Sequence, residues 1–294
     1  MSSREMTSPK MTSRCKRLPH FTTFPPQSTS LQSNDVNCRT AGIGCLSGNY
    51  CPFFSTIFMI QRITLVILWM LVLCPSFLFA FQSNGDTLNV SSVSDFKVTG
   101  KGDKPQWDSA SWISLTKLDK GLEDYDTRYK ILYSKKGIYV LFSGKDKKIT
   151  STYQNDFDDL YNADVFEVFF HTNPAEPLYF EYEISALNKE LVLLIPNLDG
   201  KIMGWRPWHY EKERLVQKAV NIVKDSKGMQ SWTAECFFPY ALLQPLQATP
   251  PKKGTVWNAN FCRLDYDAGH MVKWSWSPIK VTFHEFKAFK SIRF

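Results

Sequence analysis

From residue 128 to the C-terminus, apolar and aromatic side chains recur at every second position in short runs parted by Gly, Pro, Asn and Asp. That period belongs to β-strands, and helical periodicity is nearly absent. Runs 128–133 and 138–143 flank Lys135-Lys136-Gly137 and predict a hairpin, with the glycine expected to supply a positive φ. Run 164–170 puts Phe166, Val168 and Phe170 on one face and Val165, Glu167 and Phe169 on the other. The next run sets Phe180, Tyr182 and Ile184 against Tyr179, Glu181 and Glu183, so its second face is acidic. Further strands are expected at 190–195, 215–223, 231–238, 255–266, 270–277 and 288–294. A short helical turn is expected at Tyr240-Ala241-Leu242-Leu243 after Pro239. Segment 200–210 reads as a loop, because Pro207 breaks the aromatic run Trp205-Arg206-Pro207-Trp208-His209-Tyr210. The architecture expected is all-β: a β-sandwich of jelly-roll or immunoglobulin-like type with one short helical turn.

The first 80 residues follow another logic. Met59-Ile60-Gln61-Arg62 opens a mostly apolar stretch, Ile63 to Phe81, with the order of a secretory signal peptide. Its nineteen residues could also just span a membrane as an anchor, given a hydrocarbon core of about 30 Å. Residues 1–58, rich in Ser, Thr and Pro, read as a disordered extension or as translation from a start codon upstream of the true one. The expected organisation is therefore an extension at 1–58, a leader or anchor at 59–80 and one folded unit at 81–294. The folded unit is expected to be exported: periplasmic, cell-surface or extracellular.

This division changes the charge picture. The whole chain carries a net +7, but seven basic and two acidic residues precede residue 81, leaving 28 basic against 26 acidic side chains. No electrostatic case for nucleic acid survives. Of seven cysteines only Cys236 and Cys262 follow the leader, both in apolar runs, and they read as two buried thiols or as one bridge between adjacent strands. Catalytic signatures are missing: there is no Gly-x-Ser-x-Gly elbow, no Cys-x-x-Cys and no phosphate loop, and His284-Glu285 lacks a second histidine at zincin spacing.

Six pieces in order resemble the family 9 carbohydrate-binding modules, especially stand-alone exported members. They are 101–107 (Lys-Gly-Asp-Lys-Pro-Gln-Trp), 162–170, 179–188, Trp232 to Tyr240, 257–263 (Trp-Asn-Ala-Asn-Phe-Cys-Arg) and Trp274-Ser275-Trp276-Ser277-Pro278. The resemblance implies a sandwich that binds polysaccharide or oligosaccharide without chemistry, in the setting of polysaccharide breakdown, with xylan and cellulose as candidate targets. It places Tyr161 and Phe283 where the family clamps a terminal sugar between two rings, and Glu167 where an acidic residue bonds sugar hydroxyls. One position departs: where those modules carry an arginine, this chain has Glu183, and a carboxylate cannot replace guanidinium donors.

Other candidates come from the residues alone. Trp205 and Trp208, in an irregular loop, are candidates for a binding face. Trp107, Trp112, Trp232 and Trp257 read as core, while Trp274 and Trp276 fit either core or platform. Asp156, Asp158 and Asp159 form an acidic loop that is a candidate structural calcium site, and Glu167 with Glu183 is an alternative one. Glu181 and Glu183, roughly 7 Å apart on one strand face, fall within the spacing a glycoside hydrolase needs. A haem-binding sandwich would draw on Met203, His209, His270 or Met271, and a sandwich serving protein contacts at the cell surface is a further reading.

Overall fold

The computed structural model describes residues 87–120, 124–198, 201–267 and 269–294. The expectations for the extension and for the leader or anchor fall outside them; among the described residues no helix is long and apolar enough to cross a membrane. Ten strands of four or more residues follow in order: β1 Thr127–Tyr133, β2 Gly137–Asp146, β3 Val165–His171, β4 Leu178–Ser185, β5 Glu190–Leu198, β6 Gln217–Lys224, β7 Gln230–Pro239, β8 Val256–Asp265, β9 Val272–Ser275 and β10 Lys290–Arg293. They form a larger sheet ordered β10-β8-β3-β4-β5, with β9 also paired to β8, and a smaller one ordered β6-β7-β2-β1. Two-residue pairings extend both.

The sheets pack through the faces that alternation predicts. Phe166, Val168, Phe170, Phe180, Tyr182 and Ile184 of the larger sheet meet Tyr129, Val140, Phe142, Trp232 and Phe238 of the smaller. Phe142 stacks on Phe166 at 4.7 Å, Phe166 on Trp232 at 4.0 Å and Tyr129 on Phe261 at 3.9 Å. Ring pairs of this kind contribute about 0.5–1.5 kcal/mol each beyond burial. Trp107, Trp232, Trp257, Trp274 and Trp276 are all buried, so the last two belong to the core. Trp112 is half-buried.

Both outer faces are partly covered as well, so the central strands carry apolar residues on both sides. Segment 93–112 lies over the smaller sheet, where Val98 and Trp107 pack on Leu132, Tyr139, Leu141 and Phe237. Glu235, fully buried on β7, fixes it by accepting from Thr99 N at 2.7 Å, Gly100 N at 2.8 Å and the Trp107 indole N–H at 2.8 Å. Over part of the larger sheet lies the 277–289 segment, whose Ile279, Phe283, Phe286 and Phe289 pack on Phe169 and Tyr179.

Three local expectations are corrected. Gly137 sits in the expected hairpin, but not at positive φ. What excludes a side chain there is space, since a Cβ would lie 2.2 Å from the Phe238 carbonyl oxygen. The turn after Pro239 is not a helix but a series of turns, closed by Leu242 N to Pro239 O at 2.9 Å and Leu243 N to Tyr240 O at 3.1 Å. Segment 201–210 is not free of β-structure, because Lys201–Ile202 and Arg206–Pro207 both pair with β5. Pro207 is tolerated there as an edge residue. Cys236 and Cys262 are free buried thiols; they lie in different sheets, which excludes a bridge between neighbouring strands.

Candidate functional site

Where 277–289 does not reach, the outer face of the larger sheet opens into a cavity of about 280 Å³. That is near the lower end of small-ligand pockets, roughly 300–1,000 Å³, and suits a ligand of one or two rings. Register builds its floor. Glu167 on β3 stands directly opposite Glu183 on β4, and Glu181 lies two residues along on the same face. All three line the cavity. Leu193 and Ile195 of β5 continue the floor on one side and Leu264 of β8 on the other.

The walls are aromatic and come from three separate loops. Tyr161 rises from the short 3₁₀ turn Leu160–Asn162, whose backbone is held where Tyr266 Oη donates to Tyr161 O at 2.7 Å. Trp205, 57% exposed, stands beside the edge pairing with β5. Phe283 reaches in from a turn shaped by Glu285, whose carboxylate accepts from Val281 N at 2.5 Å and Thr282 N at 2.9 Å. Those backbone donors hold the Glu285 carboxyl below its ordinary range. Phe283 is only 6% exposed and packs against Phe169, so it is at once wall and core.

The floor is electrostatically costly. Glu167, Glu181 and Glu183 are 3%, 3% and 1% exposed, and like charges opposite one another across strands repel. Burial, then the neighbouring Glu181, pushes the Glu167 carboxyl well above the usual carboxylate range. Burial, followed by Glu167 and Glu181, does the same to Glu183, and burial takes Glu181 up to about 8. Glu181 Oε2 and Glu183 Oε2 have no hydrogen-bond partner. One cationic side chain and one imidazole line the cavity without neutralising this floor. Lys273 Nζ donates to Val281 O at 3.1 Å and lies 3.9 Å from Asp119. His284 Nδ1 is hydrogen-bonded to the Tyr179 hydroxyl at 2.9 Å and stands 3.8 Å from Glu181 Oε2, while burial lowers its pKa and keeps the ring neutral.

Of the six residues singled out for sugar contact, Tyr161, Glu167, Glu183, Trp205 and Phe283 line this one cavity and Trp208 does not. Trp208 turns the other way, packing against the inter-sheet core with its indole N–H donating to Leu242 O at 3.0 Å. The cavity also takes in Glu181, Lys273 and His284, which sequence reasoning did not assign to sugar contact. A signal for Glu181 was present, in its two-residue spacing from Glu183 on an acidic strand face.

The acidic loop has other work. Asp156 pairs with Lys218 at 2.7 Å and accepts from Glu190 N at 3.0 Å, Asp158 accepts from Asn155 N at 3.0 Å, and Asp159 lies beside Tyr161. The carboxylates whose oxygens gather within 4.8 Å are instead Asp146, Asp164 and Asp265; the first and last pair with the Arg263 guanidinium, and Asp164 accepts from Thr150 N and Tyr266 N. Glu167, Glu181 and Glu183 do not gather at ligating distances of this kind. Of the residues considered for haem, only Met271 lines the cavity.

Comparison with solved structures supports the sandwich. A protein from Bacteroides uniformis, described as a candidate carbohydrate-binding protein, superposes with TM-score 0.59 at 16% identity, covering 71% of this chain and 99% of its own. A family 9 carbohydrate-binding module from Caldicellulosiruptor kristjanssonii, in complex with glucose, gives TM-score 0.51 at 14% identity over 71% and 95% of the two chains. Its cellotriose complex gives 0.52 at 14% identity over 71% and 93%. No curated protein matches the chain. The family model described as "Carbohydrate family 9 binding domain-like" matches residues 98–192, the stretch that carries β1 to β4 and with them Tyr161, Glu167, Glu181 and Glu183.

Proposed function

We propose that this protein binds oligosaccharide or polysaccharide ends non-catalytically, in the cavity on the outer face of the larger sheet. The observation that carries the reading is the cavity itself, with Tyr161, Trp205 and Phe283 around a floor of hydrogen-bonding carboxyls. Pyranose rings present apolar C–H faces to aromatic walls and hydroxyls to polar groups. Covering roughly 50 Å² per ring contributes on the order of 1 kcal/mol for each wall, so binding is weak to moderate. The family match and the glucose and cellotriose complexes of the Caldicellulosiruptor module make β-linked glucans the first ligands to try. An exported location fits the leader-like order of residues 59–81.

Affinity electrophoresis of the full chain against a panel of soluble polysaccharides tests this. We expect retardation by at least one of them, with no release of reducing ends. Tyr161→Ala and Trp205→Ala are each expected to weaken binding about 5- to 10-fold, the effect of roughly 1–1.4 kcal/mol. Phe283→Ala is a poor probe, since truncating a packed Phe costs about 3–5 kcal/mol of stability, and Phe283→Leu removes the ring while keeping most of the packing. Unchanged retention in all three ring variants would overturn the site.

A further inference from the structure

The cavity floor is one-sided in its chemistry. A neutral sugar offers hydroxyls that both donate and accept, but it brings no charge to answer a cluster of acids. Here the polar floor consists of three carboxyls, two of whose oxygens, Glu181 Oε2 and Glu183 Oε2, are buried without a partner. The hydrogen bonds that the nearby cation and imidazole make run elsewhere: Lys273 Nζ to the Val281 carbonyl, His284 Nδ1 to the Tyr179 hydroxyl. Among the described residues no arginine lines the cavity. Buried acids this close together stay neutral, with oxygens left unpaired, unless a ligand brings both positive charge and N–H donors to them.

We infer that the sugar selected by this pocket carries a protonated primary amine, so that its ligand class is the free amino sugars, with Glu181 and Glu183 receiving the ammonium. The inference rests on the carbohydrate reading and deepens it. An ammonium brings three donors in a compact group, enough to answer the two unpartnered glutamate oxygens and leave one for a neighbouring acceptor. Aromatic walls favour the same ligand, because a cation over a ring face gains roughly 0.5–2 kcal/mol as it is desolvated. A divalent cation is the weaker occupant, since the three glutamates together lack the close oxygen spacing found among Asp146, Asp164 and Asp265. Charged and titratable groups facing the amine are Glu167 from β3, Glu181 and Glu183 from β4, Lys273 from β9, His284 from the 280–285 turn and Tyr161 with Asp159 behind it. With the carboxyls raised by burial and by one another, an ammonium must draw protons from the floor as it binds.

The test is calorimetric titration of the full chain at pH 6.5 with three β-1,4-linked trimers that differ only at C2, bearing hydroxyl (cellotriose), acetamide or free amine. We expect the amine trimer to bind at least 10-fold tighter than either other, with proton release detected as a dependence of the heat on buffer ionisation. Glu183→Gln and Glu181→Gln, which preserve shape, are each expected to narrow the amine-over-hydroxyl ratio at least 5-fold. If cellotriose binds as tightly as the amine trimer, the amine assignment fails and carbohydrate binding stands. If no trimer binds, both fail. If spermidine competes as well as the amine trimer does, the pocket reads an amine without a sugar and the assignment is overturned.

Discussion

Replacing Arg263 by methionine should lower the stability of the sandwich by about 3–5 kcal/mol, the usual cost of removing one partner from a buried charge network. Arg263 is fully buried. Its Nη2 donates to Asp146 Oδ2 at 3.0 Å and to Asp265 Oδ2, and its Nη1 to Lys145 O at 2.6 Å and Thr127 Oγ1 at 3.1 Å. Trp274 and Tyr125 stack at 5.3 and 5.5 Å from the guanidinium, and Gly144 leaves room for it, since a Cβ there would come within 2.7 Å of Nη1. Methionine fills much of the space but leaves Asp146 and Asp265 without their cation, clustered with Asp164. Burial already lifts Asp146 to about 7 against the pull of Arg263, and the variant releases that pull. In a domain of this size the loss corresponds to a fall in Tm on the order of 10 °C. It should be larger at pH 8 than at pH 5, where Asp146 holds its proton in either protein. Adding Asp146→Asn and Asp265→Asn should recover part of it, and a thermal melt showing less than 1 kcal/mol lost at pH 8 would remove Arg263 from this role.

Raising the pH from 6.5 to 8 should destabilise the wild-type protein. Glu167, Glu181 and Glu183 have folded-state pKa values above the ordinary glutamate value, and so do Asp146 and Asp164, the latter lifted by burial to about 8. A carboxyl raised on folding binds its proton more tightly in the native state. The stability it contributes is therefore complete below the unfolded pKa and is lost as pH climbs through the folded one. Each proton released on unfolding costs about 1.4 kcal/mol per pH unit, or roughly 3–5 °C of Tm. His171 and His284 are lowered by burial and act in the opposite sense, but only below about pH 6.5, so the window above it isolates the acids. Melts at pH 6.5 and 8 check the slope, and Glu183→Gln should flatten it. A Tm that is level or rising across this interval would contradict the protonated floor.

What could be read from the sequence was what a two-residue period encodes. β3 and β4 needed only alternation, which put Glu181 and Glu183 on one face of their strand and Glu167 with Val165 and Phe169 on its own; the register then joins the three. Tyr161 and Phe283 came from the resemblance and reach the same cavity. Trp205 and Trp208 looked equivalent, because a proline-broken aromatic run carries no period. Edge pairing of Arg206–Pro207 with β5 then leaves the first exposed and carries the second into the core. Proximity along the chain misled at Asp156, Asp158 and Asp159, which turn to separate partners. The acidic cluster that does form joins three residues spread over more than a hundred positions, and only the packing of one sheet on the other brings them together. Glu235 was equally opaque: a carboxylate in an apolar strand acquires meaning only once segment 93–112 supplies its three N–H donors.

Amide and indole chemical-shift mapping of the isotope-labelled protein, titrated with the trimers, asks most directly where a saccharide sits. The account expects saturable shifts at Tyr161, Glu167 and the Val281–His284 turn together with the Trp205 indole, and none at Trp208 or along β6. Shifts centred elsewhere on the sandwich, or no shifts at millimolar trimer, would contradict it.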